Sequence, residues 1–166
     1  MATAAMLAPK PRSLGHVQAA SAPVIAVTAW QMLFEYAQAV RGQTAMVVGA
    51  AGNVGAYAVQ LALDAGIHVV AIAHLADENL VRSLGVKTII DSSKPAFDQD
   101  LPRVDAILDT VGGSTFQRCV AALKPGGKLV TSVSTQPQPR SDTSNSARCC
   151  GLGVEGPKCV MPLSRL

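Results

Sequence analysis

Short apolar runs alternate with stretches of helical spacing along most of this chain. "TAMVVG" (44–49) is almost wholly apolar, and "NVGAYAVQLALDAG" (53–66) then turns Val54, Ala58, Leu61 and Ala62 to one face. "HVVAIA" (68–73) predicts a second strand, and "ADENLVRSLGV" (76–86) a helix with Asp77 and Glu78 near its positive end. "KTII" (87–90), "RVDAILDTV" (103–111) and "KLVTSVS" (128–134) predict three more strands, with a helix in "GSTFQRCVAALKPGG" (113–127). Strands that read as continuous apolar runs, separated by helices, predict a parallel sheet covered on both faces. Upstream, "HVQAAS" (16–21) predicts a short helix closed before Pro23. "VIAVTAWQMLFEYAQAV" (24–40) predicts a longer one, with Val27, Trp30, Leu33, Phe34 and Ala37 on one face and a stop at Gly42.

The first fifteen residues, with Pro9 and Pro11, read as an extended lead-in. Residues 16–137 then read as one α/β unit, and 138–166, rich in Ser, Gly, Cys and Pro, reads as an irregular tail with no assigned structure. At 166 residues, one domain with a real core is the expectation.

Composition narrows the function classes. The chain is 49% hydrophobic and 15% charged, with a net charge of +3 and no basic block, which argues against nucleic acid. No apolar run in the sequence approaches the ~18 residues of a membrane span. "MATAAMLAPKPRSLG" lacks the charged start and long apolar core of a signal peptide. It is free of acid up to Glu35, as transit peptides are, but the ordinary expectation is a cytoplasmic chain. Cys119 falls inside a helical pattern as a small buried hydrophobe, and Cys149, Cys150 and Cys159 read as free thiols without zinc spacing.

The stretch "MVVGAAGNVGAYAVQLA" (46–62) carries the chemistry. Ala50, Gly52 and Gly55 fall on the three positions of G-x-G-x-x-G between a strand and a helix. A side chain at Gly52 would occupy the place of a pyrophosphate, and one at Gly55 would push the helix off the strand. The amides of residues 52–54, at the positive helix end, would hold the anion. A tight turn without a ligand is the plainer alternative. With its flanking elements, the motif predicts a Rossmann-type doubly wound α/β fold of about five strands. At the end of the second strand stand Ala73 and His74, where NAD-specific sites usually carry an acid about 20 residues beyond the glycines. The missing acid favours NADPH, with NADH possible; His74, Arg82, Ser92, Ser93 and Lys94 are candidate phosphate partners or simply solvated surface residues.

With these residues in view, the chain from about Pro9 to Thr135 resembles the cofactor domain of medium-chain dehydrogenases/reductases, in the zinc-free quinone oxidoreductase (zeta-crystallin-like) branch. The segments that carry the likeness are "APKPRSLGHVQAASAPVIAVTAW", "GQTAMVVGAAGNVGAYAVQLA", "AILDTVGG" and "LKPGGKLVTSVS". The resemblance implies reduction of a quinone or enone by hydride from NADPH, with no zinc. It implies that Ala51, Gly52, Asn53 and Val54 hold the pyrophosphate and that His74 sits beside the adenosine ribose. Thr110 and Val111, with Ser132 and Val133, would line the cofactor groove, and Asp109 would order its loop. The family's substrate domain is not among these residues. "DSS" (91–93) stands where the family often has a tyrosine for the 2′-phosphate, and the family pattern breaks near Arg140, as a splice or altered reading frame would produce.

No catalytic acid, base or nucleophile stands out. A Tyr-x-x-x-Lys pair is absent, since Tyr57 is followed four residues later by Leu61 and Tyr36 by Val40. The missing pair argues against a short-chain dehydrogenase; with the substrate domain not among these residues, a non-catalytic dinucleotide-binding or redox-sensing module is the alternative function. A domain lacking its neighbour would expose apolar surface, so homodimers or other self-association are expected.

Overall fold

The computed structural model describes residues 9–99 and 101–133, together with the backbone of 147–149. The remaining tail expectations, Cys150 and Cys159 among them, lie outside these residues. Six strands form one parallel sheet: β1 (Thr44–Val48), β2 (His68–Ala73), β3 (Thr88–Asp91), β4 (Val104–Asp109), β5 (Leu123–Thr131) and β6 (Ala147–Cys149). Their order is β3-β2-β1-β4-β5-β6, so the chain reverses direction across the sheet between β1 and β4. The five strands expected from the apolar runs are all present. The sixth corrects the reading of the tail as wholly without structure: Ala147–Cys149 pairs alongside Leu129–Thr131.

Burial on both faces explains the strands' composition. Met46, Val48, Ile107 and Leu129 point to one layer, and Val47, Leu108 and Val130 to the other, all essentially inaccessible. Each such side chain contributes about 1.5–3 kcal/mol on burial. Helix α2 (Asn53–Asp64) packs on the second layer through Gly55, Ala58, Val59 and Ala62. Val54 and Leu61 are only half-buried, so the inward face is rotated toward Val59 from the expected one.

The first helix departs most from expectation. α1 runs His16–Trp30 straight through Pro23 and continues as a π-helical turn, Gln31–Tyr36. Its start is fixed by the Gly15 amide, which donates to Gln18 Oε1 at 3.0 Å. Proline removes one internal hydrogen bond, but the chain on either side remains helical. The wider π turn, closed by the Ala37 amide on Met32 O at 3.0 Å, shifts the side-chain register. Thr28, Ala29, Met32, Leu33 and Ala37 are inside, while Val27 and Trp30 lie 54% and 47% exposed, so the inward face runs through Ala29 and Met32. Trp30 stacks obliquely on Phe34, ring centroids 5.8 Å apart. The helix ends before Gly42, through Gln38 at φ 52°.

That continuity corrects another expectation. The continuous helix His16–Tyr36 is 21 residues long and holds an 18-residue window of mean hydropathy 1.3, long and apolar enough by length and composition to cross a membrane. Core helices meet the same test, and Ala29, Met32 and Leu33 pack in this domain's core. Two further helices complete the set among the described residues: α3 (Glu78–Ser83), entered by a 3-10 turn at Leu75–Asp77, and α4 (Gly113–Cys119), left by a 3-10 turn at Val120–Ala122. "LKPGG", expected in the helix, already belongs to β5 because Leu123 pairs with Val104.

Candidate functional site

β1 ends at Val48, and the chain turns at once through Gly49 at φ +83°. A Cβ there would lie 2.5 Å from Thr110 Oγ1 and 2.6 Å from Val111 Cγ2, so only glycine fits. The Gly49 amide donates to Ile72 O at 2.9 Å, and the Gly52 amide to Gly49 O at 2.9 Å. Gly55 is buried in the first turn of α2, where a Cβ would come within 2.0 Å of Gly49 O. The expectation that Gly55 lets the helix lie close to the strand is met, and the atoms in the way are backbone. The tight-turn glycine is Gly49, however, and not the Ala50 position.

Ala50 is fully buried, and its amide donates to Ile72 O at 3.2 Å, so it supports the turn from behind. Gly52 caps α2 in an extended conformation with no side-chain cap, and the first internal helix bond runs from the Ala56 amide to Gly52 O. The amides of Asn53, Val54 and Gly55 are thus the helix's first-turn donors without intrahelical acceptors, the arrangement that suits a phosphate.

The turn opens on a cleft of about 210 Å³ at the carboxyl ends of β1, β2 and β4. Among the expected residues, Ala51, Gly52, Ala73, His74, Ser92, Thr110 and Val111 line it. Asn53, Val54 and Gly55 sit beside it in α2. Ser132 and Val133 do not line it. The Ser132 amide donates to Asp109 O at 2.9 Å, and the Val133 side chain is packed where a Cβ on Gly112 would come to 3.1 Å. Both therefore brace the loop after β4. Four lining residues escaped sequence reasoning: Gly49, Ile72, Asp77 and Thr115. Gly49 carried a signal, being the residue that directly ends the strand. Asp77 carried none, because spacing assigns it to the next helix.

The loop after β4 is held by a buried carboxylate. Asp109 Oδ1 accepts from the Val111 and Gly112 amides at 3.1 and 2.9 Å, and Oδ2 from Thr131 Oγ1 at 2.7 Å. Thr110 Oγ1 donates to Val48 O at 2.8 Å, which seats the loop against the glycine turn. The expected role of Asp109 in ordering this loop is the one its contacts describe.

The cleft's charge differs from expectation. Its lining has one carboxylate, Asp77, and neither lysine nor arginine. Arg82 pairs with Glu78 one helical turn away. The Ser93 amide and hydroxyl both donate to Asp91 Oδ1, at 3.0 and 2.6 Å, which holds Asp91 below the usual carboxylate range. Lys94 does not reach the lining. Of the five candidate phosphate partners, His74 and Ser92 remain at the cleft.

Cys119 is buried, and burial pushes its thiol up to about 12, which leaves it an inert core residue. Among the described residues no group of three or more His, Cys, Asp or Glu is placed to hold a metal.

A parallel sheet in this order, with a glycine turn and a helix N-terminus at the reversal point, defines the class: a Rossmann-type, NAD(P)-binding domain. A family model described as zinc-binding dehydrogenase matches residues 53–149, and the chain belongs to that family, in the quinone- and enoyl-reductase-like part of the medium-chain dehydrogenases/reductases. The mitochondrial NAD(P)H oxidoreductase RTN4IP1 of Mus musculus is 38% identical over 133 residues, which cover 75% of this chain and 34% of the mouse protein. The crystal structure of CurK enoyl reductase superposes with a TM-score of 0.70 at 30% identity, covering 75% of this chain and 39% of that one. The quinone oxidoreductase from Coxiella burnetii gives a TM-score of 0.69 at 30% identity, with the same coverage of 75% and 39%. The chain thus spans well under half the length of these relatives.

The expectation of a cytoplasmic chain is overturned here. The matching oxidoreductases of Mus musculus, Danio rerio, Homo sapiens and Bos taurus are all named as mitochondrial. The composition of a buried parallel sheet carries no cellular address, so its ordinary look was no guide to compartment.

Proposed function

We propose that this chain is the dinucleotide-binding part of an NAD(P)H-dependent reductase for conjugated carbonyl compounds, quinones or enones. The observation that carries the reading is the turn Gly49–Gly52–Gly55, which presents the first-turn amides of α2 to the cleft at the sheet's reversal point. Asn53 and Val54 would receive the pyrophosphate through their amides, with Gly52 leaving room for it. Thr110, seated on Val48, and Val111, held by Asp109, would form the opposite wall. When bound, the reduced nicotinamide would supply a hydride for two-electron reduction of the acceptor. The chain's own part is to bind and orient. The relatives' printed names, an enoyl reductase and a quinone oxidoreductase, support the acceptor class.

Positions 73 and 74 carry no acid, so this reading admits NADPH as well as NADH. Calorimetric titration with NADPH and then NADH tests the site, and oxidation of the bound cofactor by a benzoquinone tests the reaction. Saturable binding with turnover supports the reductase; absence of binding refutes the site. Binding without turnover favours the second reading, a non-catalytic dinucleotide module. The relatives' names also support a mitochondrial compartment, to be checked by fractionating cells that express the tagged chain.

A further inference from the structure

We propose that Asp77 is the residue that reads the adenosine ribose, accepting from its 2′- and 3′-hydroxyls and so turning the choice toward NADH. This rests on the dinucleotide reading above and reverses the preference drawn from Ala73 and His74 alone. The three-residue 3-10 turn Leu75–Asp77 folds back at the end of β2, closed by the Asp77 amide on His74 O at 2.9 Å. That brings a residue beyond the strand end to the lining of the cleft that holds Ala73, His74 and Ser92. The turn is itself anchored, since the Leu75 amide donates to Asp91 Oδ1 at 3.1 Å and the Ser92 amide to Ala73 O at 2.9 Å.

The plain alternative for Asp77 is a cap on α3. It stands at the cap position but makes no side-chain cap bond. Nor does it enter an ion pair among the described residues, where the neighbouring Glu78 takes Arg82. A half-buried carboxylate without a partner, at the edge of a cleft without lysine or arginine, is suited to a vicinal diol, which offers it two donors. The same carboxylate would face a 2′-phosphate as a like charge with no cation in the lining to offset it.

The test is calorimetric titration of the 166-residue chain with NADH and NADPH, and with AMP and 2′,5′-ADP to read the ribose end alone. The wild type, Asp77→Asn, Asp77→Ser and the control Glu78→Gln are compared, with thermal melting to confirm folding. The wild type is expected to favour NADH. Asp77→Asn should weaken NADH about tenfold, the effect of losing a charged acceptor, and tighten NADPH, so that their ratio moves by more than tenfold. Asp77→Ser should move it in the same direction, AMP and 2′,5′-ADP should follow, and Glu78→Gln should leave the ratio in place. A ratio unmoved in both Asp77 variants, or moved equally by Glu78→Gln, overturns the role of Asp77 while leaving the dinucleotide site standing. No saturable binding of either dinucleotide to the wild type overturns the dinucleotide reading and this inference together.

Discussion

Strand β4 carries an aspartate near each end, and the two do opposite work. At the amino end, Asp105 accepts from the Thr44 amide at 2.9 Å and pairs with Lys124 at 2.8 Å. It ties β1, β4 and β5 beside a hollow of about 230 Å³ lined in part by Gln38, Gln43 and the Pro125–Gly126–Gly127 stretch at the start of β5. At the carboxyl end, Asp109 is fully buried and satisfied by two amides and a hydroxyl. The first is a half-exposed staple with a charged partner, and the second shapes a loop without bringing a cation near the cleft. A charge paired at the surface is weakened by solvent, whereas a buried one must be matched donor by donor. The hollow beside Asp105 is of similar size, and Asp105 and Lys124 in its lining are matched to each other, with Lys128 beside them. The cleft beyond Asp109 holds the free helix donors and the unpartnered Asp77.

Breaking the carboxyl end should have the larger effects. Gly55→Ala forces a methyl group onto the Gly49 backbone and should destabilise the fold by about 3 kcal/mol, read by urea unfolding, with loss of dinucleotide binding. Asp109→Ala leaves the Val111 and Gly112 amides without their acceptor and should cost about 2–3 kcal/mol in the same measurement. Thr131→Val removes the hydroxyl that donates to Asp109 and receives the Val133 amide, for about 1–1.5 kcal/mol.

At the amino end, Asp105→Asn should cost under about 1 kcal/mol at neutral pH, because its partner is solvent-screened. Here pH sharpens the contrast. Hydrogen bonding from Lys124, then from the Thr44 amide, holds Asp105 below the ordinary carboxylate range. Its contribution is therefore present above the unfolded-state value and is lost as pH falls through the lower folded-state one. Asp105→Asn should flatten that acid limb in unfolding curves, and a limb as steep as the wild type's would show that Asp105 is not its source.

The strands were legible because a sheet buried on both faces requires uninterrupted apolar runs, and "AMVV", "VVAIA" and "AILD" meet that need locally. Helix faces were less so. Val27 and Trp30 sit at helical spacing from Leu33, but so does Ala29, and it is the face through Ala29, Met32 and Leu33 that packs in the core. The glycine turn was legible apart from one position: Gly49, not Ala50, takes the positive φ. Asp77 was not, since three residues of 3-10 turn decide whether it faces the next helix or the cleft.

The sequence by itself determined the parallel α/β class, the strand-turn-helix at Gly49–Gly55 and the lack of an acid at residues 73 and 74. Each is a local matter of sterics and pattern, settled within a few residues. Only the tertiary structure decided that β1 lies between β2 and β4, that Asp109 reaches Thr131, and that Asp77 and Ser92 meet at one cleft. Those depend on which strands become neighbours, and that is set by packing between residues far apart in the chain.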